Sequence, residues 1–166
     1  LTGGRTFAKA LEILSRELSP TKGKPDAATY AGFARALDAA FKLRFENMGD
    51  HESPKAPGST THFSVVDREG NMCAVTQTLL SIFGSRVVSP STGMLLNNGI
   101  MWFDPEPGKP NSLGPNKRCL ANYSPVIGED AAGRRFAIGA SGGRKILGAV
   151  MQLSSFMIDH GLDLEE

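Results

Sequence analysis

Thr60 stands where a Pro-Gly loop gives way to a β-rich run, in the stretch "PGSTTHFSVV" spanning residues 57–66. A threonine freed from the residue before it is a complete catalytic unit. Its hydroxyl is the nucleophile, and its α-amine, with an ordinary pKa of about 7.7–8.0, is the base. The bond that would have to break is Ser59–Thr60, by attack of the Thr60 hydroxyl on the Ser59 carbonyl, an N-to-O acyl shift and hydrolysis of the ester. Two adjacent threonines at a strand start also satisfy plain strand propensity, so these residues alone leave both roles open.

Other residues could complete such a site. "SGGRK" (141–145) sits at a strand end and a helix start. There, successive backbone N–H groups and the helix dipole stabilise an anion, and Gly142 and Gly143 let the backbone approach it closely. In amide chemistry the anion is the tetrahedral oxyanion, and one donor lowers the barrier by roughly 3 kcal/mol. A Gly-Gly turn without chemistry fits the same residues. A phosphate-binding P-loop does not, because the Gly-Lys-Ser/Thr block is missing. Thr76 and Thr78 alternate to one side of a strand, where either could hydrogen-bond the Thr60 hydroxyl across a ladder. Asn97 and Asn98 could line a pocket or turn the chain, and Lys117-Arg118 could hold a carboxylate or stay solvated. His51, His62 and His160 share no ligand spacing and read as structural. Cys73 and Cys119 lack a Cys-x-x-Cys or Cys/His pattern for zinc and read as reduced and structural.

The elements that must position these residues follow from periodicity. Phe7, Leu11, Leu14 and Leu18 predict an amphipathic helix over 4–19, ended by Ser19-Pro20. After the loop "SPTKGKPDAAT", a second helix is predicted from Asp26 or Ala27 to near Gly49, with Tyr30, Phe33, Leu37, Phe41 and Phe45 along one face. "DHESPKAPGS" is a breaker-rich loop. "HFSVVD" and "MCAVTQTLL" are β-rich runs separated by "REGN", a turn signal that predicts a hairpin. Further strands are predicted at 86–88, 93–97, 123–129 and 134–140. Residues 104–118, "DPEPGKPNSLGPNKR", read as a long connection without structure of its own, of the kind compact domains retain for function or mobility. A last helix is predicted with Ile146, Val150, Leu153 and Met157 inward and Gly161 as its C-cap. Helices, mostly antiparallel strands and a further helix make this an α+β chain.

Composition bounds the partners. The 166 residues suit one domain, and 40% apolar with 21% charged residues is ordinary for a globular chain. A net charge of +1 gives no electrostatic case for nucleic acid or an anionic membrane surface. No apolar run approaches the roughly 20 residues that span a bilayer, and "LTGGRTFAKALEIL" lacks the apolar block of a signal peptide.

Several motifs fall in one order along the chain: "TTHFSVVDREGNMCAVTQTL" with the following "FG", then "GMLLNN", "GPNKRCLANYSP" and "ASGGRKI". Together they resemble the γ-glutamyltransferase (γ-glutamyltranspeptidase) family of N-terminal-nucleophile hydrolases. Upstream, "GGRTFAKALEIL" and "FENMGD" resemble the last part of that family's large subunit. The resemblance implies an αββα sandwich, incomplete in this chain. Residues 1–59 would be the C-terminal helical part of the large subunit plus linker, and 60–166 the N-terminal part of the catalytic small subunit. It further implies cleavage between Ser59 and Thr60, Thr60 as nucleophile, Thr78 as its hydroxyl partner, and Gly142 and Gly143 as oxyanion donors. The chemistry would be ping-pong acyl transfer from a small-molecule amide to water or an acceptor amine, without metal or cofactor. The remainder of the large subunit, with its carboxylate-binding Arg, would be the partner. Homo-oligomerisation stays open, as does the compartment: periplasmic or secreted as in a typical member, or cytoplasmic.

The departures from the pattern fall on substrate-binding positions. Leu80 stands where the family has Asn, Gly99 and Trp102 where it has Gln or Glu and then Asp, and Ala121 and Asn122 where it has paired Ser. A site that cannot partner a buried ammonium and carboxylate loses several kcal/mol for a glutamyl group. The expectation is therefore a family enzyme with altered acyl choice, an acylase or small-amide amidohydrolase, ahead of a true γ-glutamyl enzyme. An uncleaved, non-catalytic interaction fragment is the remaining reading.

Overall fold

The structure, a computed structural model, describes residues 2–19, 22–48 and 59–165. Helices α1 (Thr2–Glu17) and α2 (Ala27–Met48) precede two β-hairpins, β1 (Thr60–Val66) with β2 (Met72–Thr78) and β3 (Val126–Glu129) with β4 (Arg135–Ile138); α3 (Lys145–Ile158) follows. The mixed helix and strand content is that of the expected α+β chain. The helix stops expected at Pro20 and Gly49, and loop residues 50–58 with His51, lie outside the described residues. Among the described residues no helix is long and apolar enough to cross a membrane.

α2 starts where its capping chemistry is best. The Asp26 carboxylate accepts hydrogen bonds from the Thr29 N–H and the Thr29 hydroxyl, both at 2.8 Å, satisfying a donor that every helix start leaves without an intrahelical partner. Those bonds, the backbone one first, hold the Asp26 carboxyl below the ordinary carboxylate range. The three helices share one core: Ala10 and Leu14 from α1, Phe33, Ala36 and Ala40 from α2, and Met151 from α3. The buried face of α2 differs from the aromatic one expected. It comprises Thr29, Gly32, Phe33, Ala36, Ala40 and Arg44, while Tyr30 and Phe45 lie about half exposed. Small residues at four-residue steps bring a neighbouring helix close, and that approach decides the face over side-chain size. In α3 the inward stripe is Ile146, Leu147, Val150, Met151, Ser154 and Ser155; Leu153, expected inside, is 44% exposed. Gly161 ends the helix region at φ +70°, and the Leu162 N–H reaches back to the Phe156 carbonyl at 3.0 Å.

The first hairpin forms as predicted, in antiparallel register from Thr60↔Thr78 to Val66↔Met72. Its turn is closed by Asp67, whose carboxylate accepts from the Asn71 N–H and carboxamide, both at 2.7 Å. The second hairpin, Val126↔Ile138 to Glu129↔Arg135, is shorter than the runs predicted at 123–129 and 134–140. The strands expected at 86–88 and 93–97 reduce to one bridge, Val88↔Leu95. Leu80, Phe83 and Arg86 adopt left-handed φ of 70°, 62° and 61°, a conformation that breaks the pleat a strand needs. The stretch 104–118 also differs from expectation, being tied down along its length. The Asp104 N–H donates to the Asn111 carbonyl at 2.9 Å, Lys109 pairs with the buried Asp104 carboxylate at 3.0 Å, and Lys117 Nζ donates to the Ser112 carbonyl at 2.9 Å.

The hairpins touch at two places that set their relative direction. Arg135 Nη1 donates to the Gly70 carbonyl at 2.9 Å, at the tip of the first hairpin. Gly139 lies so close to the His62 imidazole that a Cβ there would collide with the ring. β4 therefore runs from the tip of the first hairpin towards its open end, where Thr60 begins β1.

Candidate active site

Thr60 and Thr78 meet because strand register makes them direct partners. The Thr60 hydroxyl donates to Thr78 Oγ1 at 3.2 Å, and the same oxygen accepts the Leu80 N–H at 3.0 Å. On the other side of the Ser59–Thr60 bond, the Ser59 N–H donates to the Leu80 carbonyl at 3.3 Å and the Ser59 hydroxyl to the Ser81 carbonyl at 3.1 Å. Both residues flanking that bond are thus anchored to one segment, Thr78–Ser81. Restricting a hydroxyl and a neighbouring carbonyl in this way is how positioning lowers an intramolecular barrier.

Thr76, the other candidate partner, serves a different residue. Its Oγ1 lies 2.8 Å from His62 Nδ1, and His62 Nε2 lies 3.0 Å from Ser64 Oγ. His62 is a structural wedge here, satisfied on both ring nitrogens and pressed against Gly139. Beyond Gly139 come Gly142 and Gly143, with φ of 131° and 61°. Their carbonyls accept the Lys145 and Ile146 N–H groups, each at 3.2 Å, at the start of α3. Neither glycine's N–H donates to another described residue. The structure brings the strand leading to this pair to the Thr60 end of the hairpin without a hydrogen bond between Thr60 and either glycine.

The five substrate-binding candidates fall into two linked groups. Leu80 is half-buried beside Ser59. Asn98 joins that segment to the 3-10 turn Gly99–Trp102: its Oδ1 accepts the Ser81 N–H at 3.0 Å, and its Nδ2 donates to Ser81 Oγ at 2.8 Å. Asn97 accepts the Gly99 N–H at 2.8 Å, so both asparagines turn the chain. Trp102 then meets Tyr123 edge-on, ring centroids 5.4 Å apart, and Asn111 donates to the Trp102 carbonyl at 2.6 Å. Ala121 is buried, and the Asn122 carboxamide oxygen accepts from Arg44 Nη2 at 2.8 Å. Burial, with Cys119 as a smaller cause, pushes the Tyr123 phenol upward, and burial pushes the Cys119 thiol upward. Both side chains are neutral at physiological pH, so the surface around Trp102 carries no ionised partner from them. Cys73 is exposed. Among the described residues no group of three His, Cys, Asp or Glu is arranged to hold a metal ion.

Arg44 is the residue that the sequence did not disclose as part of this region. It is 2% exposed and reaches Thr6 Oγ1 at 3.1 Å and the Ala121 carbonyl at 3.5 Å as well as Asn122. The available signal was its spacing, one helical step beyond Ala36 and Ala40 on the face α2 buries.

Comparison with known proteins points to one family. A sequence model of the family described as Gamma-glutamyltranspeptidase matches residues 8–166. The glutathione hydrolase proenzyme of Escherichia coli (strain K12) is 39% identical over 124 residues, covering 69% of this chain and 21% of that protein. The acylase ACY 1 proenzyme of Pseudomonas sp. (strain V22) is 35% identical over 137 residues, covering 82% of this chain and 24% of that protein. The chain thus spans about a fifth to a quarter of the length of these curated relatives. Among solved structures, the gamma-glutamyltranspeptidase from Pseudomonas nitroreducens complexed with L-DON superposes with a TM-score of 0.54 at 35% identity, covering 63% of this chain and 60% of that one.

Proposed function

This chain belongs to the gamma-glutamyltranspeptidase family, and from that premise we propose that a protein carrying it is an amide hydrolase and acyl transferase with Thr60 as its nucleophile. The observation that carries this reading is the Thr60–Thr78 hydroxyl pair at 3.2 Å, next to a peptide bond anchored on both sides. Thr60 Oγ attacks the Ser59 carbonyl carbon, the C–N bond breaks, and the nitrogen takes the proton as the acyl group moves to oxygen. Water then hydrolyses the ester, leaving a Ser59 carboxylate and a free Thr60 α-amine. In turnover the hydroxyl attacks a substrate amide, its proton passes through the α-amine to the leaving amine, and water or an acceptor amine resolves the acyl-enzyme. Gly142 and Gly143, in the turn that follows the strand running to this end of the hairpin, supply the oxyanion donors. The complete architecture is an αββα sandwich, with 1–59 from the large subunit, 60–166 from the small one, and the rest of the large subunit as partner.

The acyl group follows from Leu80, Gly99 and Trp102. Their side chains offer an ammonium no carboxylate or carboxamide oxygen, and desolvating a poorly partnered charge is costly. An acyl group without the charged end of a glutamyl residue fits them better, and two similar curated proteins are named as acylases. Intact-mass analysis tests the nucleophile: the expected result is two fragments, one beginning at Thr60, and their loss in Thr60→Ala. A chain that stays uncut after long incubation favours the non-catalytic reading. Turnover of γ-glutamyl-p-nitroanilide is then compared with small amides and cephalosporin-type acyl amides. Robust γ-glutamyl turnover would overturn the altered acyl choice.

A further inference from the structure

We infer that Arg44 is a positioning residue: from α2, ahead of the Ser59–Thr60 bond, it holds the strip Ala121–Tyr123 that backs Trp102. Its kinetic consequence rests on the acyl-transfer reading, whereas the positioning rests on geometry alone. A guanidinium is always charged and presents donors in a rigid fork, so a buried one needs acceptors in fixed directions. Here they come from two separate parts of the chain, Thr6 of α1 at 3.1 Å on Nη1, and Asn122 at 2.8 Å with the Ala121 carbonyl at 3.5 Å on Nη2. A second observation is independent of Arg44. Gly3 of α1 lies against the Tyr123 carbonyl so closely that a Cβ would collide, with the Ala121 carbonyl 3.0 Å from that Cβ position.

Both helices before the junction therefore grip three consecutive residues after it, and the third of these carries the edge of Trp102. Asn122 is a strut in this arrangement, because its carboxamide oxygen is turned to Arg44. Cleavage before Thr60 would remove the covalent route between the two sides. The Arg44 and Gly3 contacts would then join the shared helix core in fixing the Trp102–Tyr123 wall against α1 and α2.

The sequence contains one tryptophan, so Trp102 emission reports this wall, and Trp102→Phe in the full-length protein assigns the signal. Arg44→Met and Asn122→Ala are each expected to shift that emission to the red. Each is also expected to raise KM for the best amide substrate about tenfold, with kcat per Thr60 amine changing less than about threefold. The double variant should match the more severe single one, because both remove the same Arg44–Asn122 bond. Arg44→Lys should restore part of the native emission by keeping one donor. Native emission and KM in Arg44→Met, or additive effects in the double variant, would overturn the positioning role. Should Arg44→Met fail to fold, Asn122→Ala decides, and an unshifted emission there overturns it. If the native protein turns over no amide, the acyl-transfer reading falls by itself, and the emission measurements still judge Arg44.

Discussion

Thr78→Val removes one oxygen from the hairpin while keeping the side chain's shape, and that oxygen accepts two hydrogen bonds, from Thr60 at 3.2 Å and from the Leu80 N–H at 3.0 Å. Leaving a half-buried N–H without an acceptor costs about 1–2 kcal/mol, and the lost hydroxyl pair about 0.5–1.5 kcal/mol more. Stability should therefore fall by roughly 1.5–3.5 kcal/mol. If the hydroxyl pair also aims Thr60 at the Ser59 carbonyl, the barrier to cleavage rises by about 1–2 kcal/mol, a slowing of roughly 5–30-fold. Intact mass over time measures the fragment that begins at Thr60, and urea unfolding in an uncleavable Thr60→Ala background, which already lacks the hydroxyl pair, should read the Leu80 N–H share alone, about 1–2 kcal/mol. Thr76→Val is the control. It removes the partner of His62 Nδ1 at 2.8 Å, touches neither Thr60 nor Leu80, and should slow cleavage less than about threefold even where stability falls comparably. Equal slowing in both variants, or native cleavage in Thr78→Val, would refute the positioning argument.

Two further outcomes follow from contacts between and within the hairpins. Gly139→Ala places a methyl on the His62 ring, which must tilt away from Thr76 and Ser64; overpacking of this kind costs about 1–3 kcal/mol. An unchanged urea midpoint would show that the hairpins do not meet there. The Asp130 carboxyl is held below its ordinary value of 3.8, first by the Arg134 side chain and then by the Arg134 N–H. A depressed folded-state pKa stabilises fully above the unfolded value, and the contribution is lost as pH falls through the folded one. Asp130→Asn should accordingly destabilise near neutral pH and match the native protein well below pH 3.8; a gap that persists in acid would contradict this.

The hairpin was legible because two signals agreed, alternating β-rich runs and a Gly-Asn turn, and a short local pairing needs little else. Helix α2 was legible in extent and only partly in face: Phe33 is buried and Leu37 packs on the core as expected, while Tyr30 and Phe45 lie about half exposed. Hydrophobicity points to Tyr30 and Phe45, whereas a close helix crossing selects Gly32, Ala36 and Ala40, which have little hydrophobic signal to show. Arg44 was hidden for a related reason, since a long charged side chain is ordinarily solvated and it takes partners such as Thr6 and Asn122 to make burial tolerable. Leu80, Phe83 and Arg86 hid the turns after Thr78, because bulky residues rarely take a left-handed conformation and the runs around them read as strands. Thr60 and Thr78 could be named as partners by alternation. Alternation did not separate Thr78 from Thr76; the resemblance pointed to Thr78, and the register pairs it with Thr60.

The register Thr60↔Thr78 depends on the number of residues between them more than on which residues they are. Side chains on a strand alternate faces, so one residue added to or lost from the turn after Asp67 would set Thr60 opposite Gln77 or Leu79 and carry every hydroxyl of β2 to the other side. Substitutions in that turn are cheap by comparison. The site is thus held by a count of residues as much as by the chemistry of any one of them.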